Sequence, residues 1–399
     1  MLSDQTIAFG ESFTSALLGL DALYAAEQQK PESSSASDIE RLVVLNLSND
    51  HQPEPFASYD DAIVRFSTLG QEALALPEPD RRTYYREAAE SAIAFAEWRL
   101  RGLPFADQIR RFLHVPPKPA SDEALGVLRF EMRRLLNELG YSGDLEAQFK
   151  TWESRHRVPS DEIVPTLEAL LDEAWDRTAE LIDIPAEKSD YMRVSAVTGV
   201  PFNAQCDFTG RQIRLNIDPV LTVPSLRHLA VHEGCPGHYL QFKRRQTAYL
   251  AGESPADGLL SFVNTASSSP FEGIADFGLT VIGWDRDLDG KLASLLARYR
   301  SGIATRAAWR LHEERWEPAQ VRDELHRDAL VGGEGWVDNR MRFISRPDRS
   351  ALIWSYWQGE PNVATPWNNA LSSGADWNEW ISFVYDRMHS IRSLEMFGA

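Results

Sequence analysis

The sequence predicts a mostly α-helical protein with a small β element, an α+β fold dominated by its helices. Long segments repeat apolar residues at intervals of three and four, as at Leu125, Leu128 and Met132, and this spacing places them on one face of a helix. Two short segments, residues 191–198 and 211–216, instead alternate apolar and polar residues, as strands do. Because the alternating segments are few and short, we expect one small sheet beside many helices.

Helices are predicted through most of the first 185 residues. Their expected ranges are residues 5–28, 83–101, 121–139, 144–156 and 160–182. Ser121 is suited to cap the third of these helices and Gly140 to end it. The proline-rich stretch at 116–119 predicts a stiff connector between helices.

The pattern changes after Pro185, so we predict a helical N-terminal region at residues 1–185 and a second region at 186–399. The two predicted strands begin this second region, directly before a helix that starts near Thr222. Further helices are expected at residues 258–283, 288–330 and 375–396. We expect the two regions to pack as one unit, with the small sheet flanking an active-site cleft.

The charge balance argues against two classes of partner. Lys and Arg number 41 against 59 Asp and Glu, a net charge of −18, which disfavours binding to nucleic acid or to an anionic membrane. No apolar stretch approaches the ~18 residues of a membrane span, and residues 1–11 show no secretory signal. Two cysteines, Cys206 and Cys235, make no disulfide framework. We therefore expect a cytoplasmic protein.

The helix near Thr222 carries three histidines, His228, His232 and His238, and Glu233 follows the second of them. His-Glu followed by a further His is the core of the helical zinc-hydrolase motif, in which two histidines four residues apart share a metal. Here His232 and His238 are six residues apart. On a regular helix, six residues would leave the two rings ~120° apart, too far round the helix to share an ion.

The four residues 234–237, Gly-Cys-Pro-Gly, allow two structures. Pro236 lacks an N–H group and clashes with the preceding helical turn, while the flanking glycines accept unusual dihedral angles. If the helix bulges by two residues here, the effective spacing becomes four and the imidazoles converge on a metal. Alternatively, the helix ends at Glu233 and His238 begins the next element.

A metal held by two histidines needs a third protein ligand and an open position. Glu272 is the candidate ligand, and Asp276, on the same helix face, would accept the other N–H of a ligating imidazole. Ser269 and Glu272 also match a helix capping box, which gives Glu272 a structural alternative. Two imidazoles, a carboxylate and an open position suit Zn²⁺, so we predict one zinc ion per chain.

Residues 232–241, His-Glu-Gly-Cys-Pro-Gly-His-Tyr-Leu-Gln, resemble the His-Glu-x-x-Pro-Gly-His-His-x-Gln element of the bacterial domain-of-unknown-function 885 family. Residues 272–275 are similar to the start of its Glu-Gly-Trp-Ala element. Residues 342–347 and 356–359 look like its Arg-Tyr…Pro and Tyr-x-x-Gly segments. Proteins of this family are zincin-like and related to glutamate-liganded zinc peptidases, so the resemblance implies a zincin-like fold.

The chain also departs from the family pattern. Tyr239 replaces the second histidine of the His-His pair, and Ile274 replaces the tryptophan. These departures alter the surroundings of the site and leave the three predicted zinc ligands in place.

The resemblance implies roles for single residues. His232, His238 and Glu272 would hold the zinc ion, and Glu233 would be the general base for metal-activated water. Tyr356 would stabilise the oxyanion of the reaction, or alternatively pack as a core aromatic residue.

Two further residues are candidates for substrate contacts. Arg342 would hold a substrate carboxylate, or alternatively pair with a structural acid. Asn216 and the strand at 211–217 would form an edge along which a peptide adds by backbone pairing.

We therefore expect a zinc-dependent hydrolase that acts on peptide or related amide bonds, with a peptide or small amide as its substrate. One alternative is a catalytically silent zincin-like scaffold or binding protein, which the departures from the family pattern suggest. Another is a metal hydrolase of a non-peptide amide or ester.

Overall fold

The computed structural model describes residues 2–28, 41–48 and 50–398. These residues are mostly helical, with a few short strands in small sheets, which confirms the predicted fold class. The chain divides into two compact units. The first consists of Met1–Pro117, Gln241–Phe271 and Pro361–Ala399, and the second of Lys118–Leu240 and Glu272–Glu360. Residue 185, the predicted boundary, lies inside the second unit.

The elements follow one another along the described chain. The helices are α1 (Asp4–Gln28), α2 (Tyr59–Glu72), α3 (Pro79–Arg101), α4 (Phe105–Leu113), α5 (Asp122–Glu138), α6 (Leu145–His156), α7 (Ile163–Ala179), α8 (Val223–Glu233), α9 (His238–Leu250), α10 (Ser268–Val281), α11 (Leu288–His312), α12 (Pro318–Asp328), α13 (Gly333–Ile344), α14 (Ile353–Ser373), α15 (Trp377–Tyr385) and α16 (Ile391–Leu394). The strands are β1 (Val43–Asn46), β2 (Arg193–Val197), β3 (Ala204–Asp207), β4 (Gln212–Asn216) and β5 (Leu260–Phe262).

Helix α5 shows why local sequence predicts many of these elements well. The side chain of Ser121 accepts a hydrogen bond from the Ala124 backbone N–H, as expected of a helix cap. Gly140 follows the helix with φ of 84°, the left-handed conformation that favours glycine. The apolar face is buried, with Leu125 and Met132 at 3% and 0% exposure. The predicted helix at 121–139 is therefore confirmed.

The second unit contains a three-stranded sheet in the order β2–β4–β3. Strand β2 is parallel to β4 and β3 is antiparallel to it. Ile213 and Leu215 of β4 are fully buried, which explains the alternation that predicted this strand. Because β4 pairs on both sides, the predicted peptide-binding edge along 211–217 is wrong. Strand β3 was not predicted, and its four residues are all half-buried, unlike Ile213 and Leu215 of β4.

Three of the predicted long helices are interrupted, and the one predicted over 375–396 is α15 followed by α16. Residues 260–262 form β5, which pairs with β1 in the first unit, so the helix predicted from residue 258 begins only at Ser268. The helix predicted over 288–330 is two helices, α11 and α12. Pro318 lies in the first turn of α12, where a proline is tolerated because its missing N–H would have no helical partner.

The core of the first unit is rich in aromatic residues. Phe13 and Phe66 lie edge to face with ring centroids 5.9 Å apart, and Tyr85 contacts Phe13 at 5.1 Å. All three side chains are fully buried. Within the described part of the chain, no helix combines the length and apolar character needed to cross a membrane.

Candidate metal centre

The residues that carry the histidine motif lie at a break between two helices. Thr222 caps α8, the helix predicted to start near it, by accepting a hydrogen bond from the Ser225 backbone N–H. Helix α8 then ends at Glu233, and α9 begins at His238. The predicted bulge inside one continuous helix is therefore wrong, and the alternative, a break at residues 234–237, is what the structure contains.

Glycine is required for the tightness of this break. The Gly237 backbone N–H donates to the Val231 carbonyl oxygen at 3.0 Å, which folds the chain back on the end of α8. A Cβ atom at Gly237 would lie 2.1 Å from the His232 carbonyl oxygen, which is closer than Cβ atoms approach other heavy atoms in proteins. The fold-back places the rings of His232 and His238 edge to face, with centroids 4.6 Å apart.

Three ligand atoms converge at this point. Oε2 of Glu272 lies 3.2 Å from Nε2 of His232 and 3.5 Å from Nε2 of His238. Ligands about 2.0–2.1 Å from a tetrahedral zinc ion are about 3.3 Å apart, so both separations fit a shared ion. Oε2 of Glu272 is also buried without a hydrogen bond of ordinary geometry to any described residue. The three residues thus fit a zinc ion in both donor type and spacing.

The electrostatics of the site keep the carboxylate ionised. Burial alone would raise the pKa of Glu272, but the neighbouring imidazoles of His232 and His238 lower it to about 2. Burial opposes the charge of His232 as well, but Asp276 raises the pKa of this histidine well above its usual range. The pocket is therefore a place where a positive charge is stabilised.

Asp276 accepts hydrogen bonds from two of the histidines and so fixes the orientation of the His232 ring. Nδ1 of His232 donates to Oδ1 of Asp276 at 2.8 Å, and Nε2 of His228 donates to the same oxygen at 2.9 Å. The first contact leaves Nε2 of His232 facing Glu272, the arrangement that a metal ligand needs. His228, Asp276 and His232 form a second cluster of possible metal ligands, but these hydrogen bonds already link its atoms.

Helix α10 delivers Glu272 and Asp276 to the site by close backbone packing. A Cβ atom at Gly273 would lie 2.3 Å from the carbonyl oxygen of Gly359. Helix α10 begins at Ser268, and Oγ of Ser269 has no hydrogen-bond partner among the residues that the structure describes. The capping-box alternative for Ser269 and Glu272 is therefore wrong.

A cavity of about 250 Å³ opens beside the cluster, and Glu233 and Tyr356 are among its lining residues. Glu233 is 5% exposed, and its carboxylate makes no hydrogen bond or ion pair with another described residue. The Tyr356 ring lies 6.4 Å from that of His232. Burial and the charge of Glu272 raise the pKa of Tyr356 well above its usual range, so its hydroxyl keeps its proton. Both groups are available to a ligand in the cavity.

The other two predicted substrate contacts are placed differently. Arg342 is not among the residues that line the cavity. Its side chain is 45% exposed, with Nη1 3.9 Å from a carboxylate oxygen of Asp218. Asn216 does line the cavity, but its amide N–H donates to the Phe202 carbonyl oxygen and its Oδ1 accepts from the Asp218 backbone N–H. Asn216 therefore holds the loop that precedes β3.

Arg300 and Arg340 also line the cavity, and neither of them was singled out from the sequence. Trp336 and Arg340 are four positions apart on α13 and share a helix face, a signal that could have indicated a common environment. Arg342, two positions after Arg340, lies about 200° away around the helix and so on its other side.

Comparisons with known proteins show similarity in structure only. No known protein-family profile matches the chain, and no curated protein matches it in sequence. Among solved structures, one similar chain is "the putative lipoprotein from Colwellia psychrerythraea", with a TM-score of 0.57 and 14% identity over 84% of this chain. The match covers 65% of that protein, so this chain spans less than two thirds of its length.

A second similar structure is "a putative lipoprotein of unknown function from Shewanella oneidensis". The match has a TM-score of 0.53 and 12% identity, and it covers 87% of this chain and 74% of that protein. At these identities the similarity is one of architecture. The chain therefore shares the fold of these two bacterial proteins.

Proposed function

We propose that the protein is a zinc-dependent hydrolase of peptide or related amide bonds. The observation that carries this proposal is the convergence of His232, His238 and Glu272 at the spacing of a tetrahedral zinc site, with Glu233 beside them in the cavity. The resemblance of residues 232–241 to the zincin-like domain-of-unknown-function 885 family supports it. The proposal therefore includes a distant relationship to that family.

The chain's own residues have complementary tasks in this reaction. A bound zinc ion would supply Lewis acidity, which polarises a carbonyl group and acidifies water. Glu233, a carboxylate with no partner among the described residues, accepts the proton of the attacking water and passes it to the leaving nitrogen. The protonated Tyr356 hydroxyl donates to the developing oxyanion. Asp276 fixes the orientation of the His232 ring.

The test combines metal analysis with activity on a mixed peptide library. Wild-type protein should carry close to one zinc per chain, and His238→Ala should carry little. Glu233→Gln should keep its zinc but lose activity by about 100-fold or more, since it removes the general base and leaves the ligands intact. The proposal would be contradicted if wild-type protein bound no zinc even after zinc was added. It would also be contradicted if Glu233→Gln kept full activity.

The second candidate is a catalytically silent zincin-like protein that binds a ligand. Tyr239, in place of the family's second histidine, is buried against the rings of Tyr191 and Phe208 at 4.9 and 5.5 Å, so a packing residue occupies a position that is polar in the family. Zinc-loaded protein with no activity on peptides would favour this candidate.

Activity confined to small amides or esters would instead indicate a non-peptide hydrolase, which the modest volume of the cavity favours.

We propose a cytoplasmic location, because both cysteines of the chain, Cys206 and Cys235, are free. The two structural neighbours are described as lipoproteins, which favours the cell envelope as the alternative. Fractionation of cells that express the native gene decides between them, with the protein expected in the cytoplasmic fraction. Recovery with the membranes would contradict the proposal.

A further inference from the structure

Two arginine side chains lie against the same tryptophan ring inside the cavity. Arg300 of α11 and Arg340 of α13 both line it, as does Trp336. The guanidinium carbons lie 4.1 Å and 5.6 Å from the centroid of the Trp336 ring. Both arginines are half-buried, so each presents part of its surface to the cavity.

These two positive charges lack acidic partners in contact. Arg340 forms no hydrogen bond or ion pair with any residue that the structure describes, and its Nε atom is buried. Arg300 donates to the carbonyl oxygen of Val331 at 2.9 Å, and no carboxylate of the described chain lies within 4.0 Å of it. The acid that faces Arg300 is Glu153, whose Oε1 already accepts a hydrogen bond from the Gly332 backbone N–H at 2.6 Å.

Burial and mutual repulsion act on this pair. Burial and then the charge of Arg340 lower the pKa of Arg300 to about 9, and burial lowers that of Arg340 to about 10. Both side chains therefore stay charged at neutral pH. Two positive charges that line one cavity are stabilised when an anion binds near them.

Most of the other acids of the cavity have partners of their own. Glu360 lies 3.6 Å from Arg298, and Asp285 accepts a hydrogen bond from Thr280 at 2.6 Å. Asp276 accepts from two histidines of the metal centre. No carboxylate of the described chain therefore contacts either guanidinium group, and the single nearby charge of Glu153 does not balance the two arginines.

We propose that Arg340 and Arg300 bind a carboxylate of the substrate, so that the cavity selects anionic amides. The inference rests on the proposed function, because it names the substrate class of that hydrolase. In the reaction, water adds across the scissile C–N bond, with OH to the carbonyl carbon and H to the nitrogen, while the bound carboxylate is unchanged. The carboxylate can be the C-terminal group of a short peptide or an acidic side chain.

Calorimetric titration of the full chain with three probes tests this inference. The probes are N-benzoylglycine, its amide, and the α-amide of N-benzoylglutamic acid, which carries its only carboxylate on the side chain. At least one anionic probe should bind about 10- to 100-fold more tightly than the neutral amide, as expected for charge-assisted hydrogen bonds. The probe that gains affinity identifies the source of the carboxylate.

Variants assign the effect to the arginine. Arg340→Met, similar in length and without charge, should remove this preference, and Arg340→Lys should restore part of it. Arg134→Met is the matched control, because Arg134 pairs with Glu131 on α5 and does not line the cavity. It should leave the preference unchanged.

Each titration is repeated with a chelator, so that failure of the zinc hydrolase proposal is seen separately. A carboxylate preference that persists without zinc supports the inference even if no hydrolysis is found. Equal affinity for the three probes in the wild type, or full preference retained in a folded Arg340→Met protein, would overturn it.

Discussion

His389 in the first unit is a residue whose surroundings fix its protonation state. Its Nε2–H donates to the Phe383 carbonyl oxygen at 2.6 Å, and its Nδ1 accepts from Nη2 of Arg81 at 3.3 Å. A proton on Nδ1 would point at the guanidinium group. Burial, followed by the Arg81 charge, accordingly lowers the pKa of His389 well below its usual range.

This histidine makes stability depend on pH. The folded pKa lies below the unfolded value of about 6.5, so below that pH the unfolded chain gains a proton that the folded chain excludes. Between pH 7.5 and 5.5 the free energy of unfolding of the wild type should fall by about 1 kcal/mol more than that of His389→Gln. Urea denaturation at the two pH values measures the difference, and equal falls in both proteins would contradict the assignment.

At the scale of single residues, the sequence predicts which side chains could take part in a reaction better than it predicts where they lie in the structure. His232, Glu233, His238 and Glu272 could be singled out because their types and order resemble a known motif. The position of Arg340 could not, because only the packing of α11 against α13 brings it beside Arg300, forty residues earlier in the chain.

At the scale of elements, α10 depends on one glycine. Gly273 lies against the backbone of Gly359, where a Cβ would approach to 2.3 Å. Gly273→Ala should therefore lower the free energy of unfolding by about 1–3 kcal/mol, the usual range for overpacking. It should also reduce zinc content, because α10 carries Glu272.

The matched control is Gly126→Ala in α5, where an added Cβ meets nothing within 4 Å. This change should stabilise the protein by about 0.5–1 kcal/mol, since alanine loses less backbone entropy in a helix. Thermal unfolding and metal analysis of both variants provide the comparison. Equal stability and zinc content in the two variants would show that α10 tolerates displacement.

Elements with local signals could be predicted, and those defined by distant partners could not. The Ser121 cap and Gly140 mark the two ends of α5 in the sequence itself. The sequence of Leu260–Phe262, Leu-Ser-Phe, fits a helix equally well, and the segment becomes β5 only because β1 pairs with it. The break after Glu233 was one of two alternatives, since Gly-Cys-Pro-Gly disfavours a helix without specifying what replaces it.

At the scale of the whole molecule, the three proposed zinc ligands belong to one unit, the second. A ligand that binds only the folded state stabilises it by RT ln(1 + [L]/Kd), about 2.7 kcal/mol at a hundredfold excess over Kd. Zinc should therefore raise the midpoint of the thermal transition that includes the second unit. Scanning calorimetry should show this rise in the wild type and in Glu233→Gln.

His238→Ala is the control for this shift, because it loses one ligand and keeps the rest of the chain. The same rise in His238→Ala would place the stabilising zinc at another part of the protein. The division into two units could not be predicted from the sequence. Each unit combines segments far apart in the chain, and local sequence patterns do not indicate the contacts that join them.

The break at residues 234–237 bears on how such a site can change during evolution. The distance between the His232 and His238 rings is set by how the end of α8 meets the start of α9, through contacts such as that of Gly237 with the His232 carbonyl oxygen. The number of residues in between matters only through the turn they make. Insertions and deletions at this junction are therefore tolerated as long as the two helix ends still meet. Related sites can differ in the spacing of their two histidines while keeping the same pair of imidazoles.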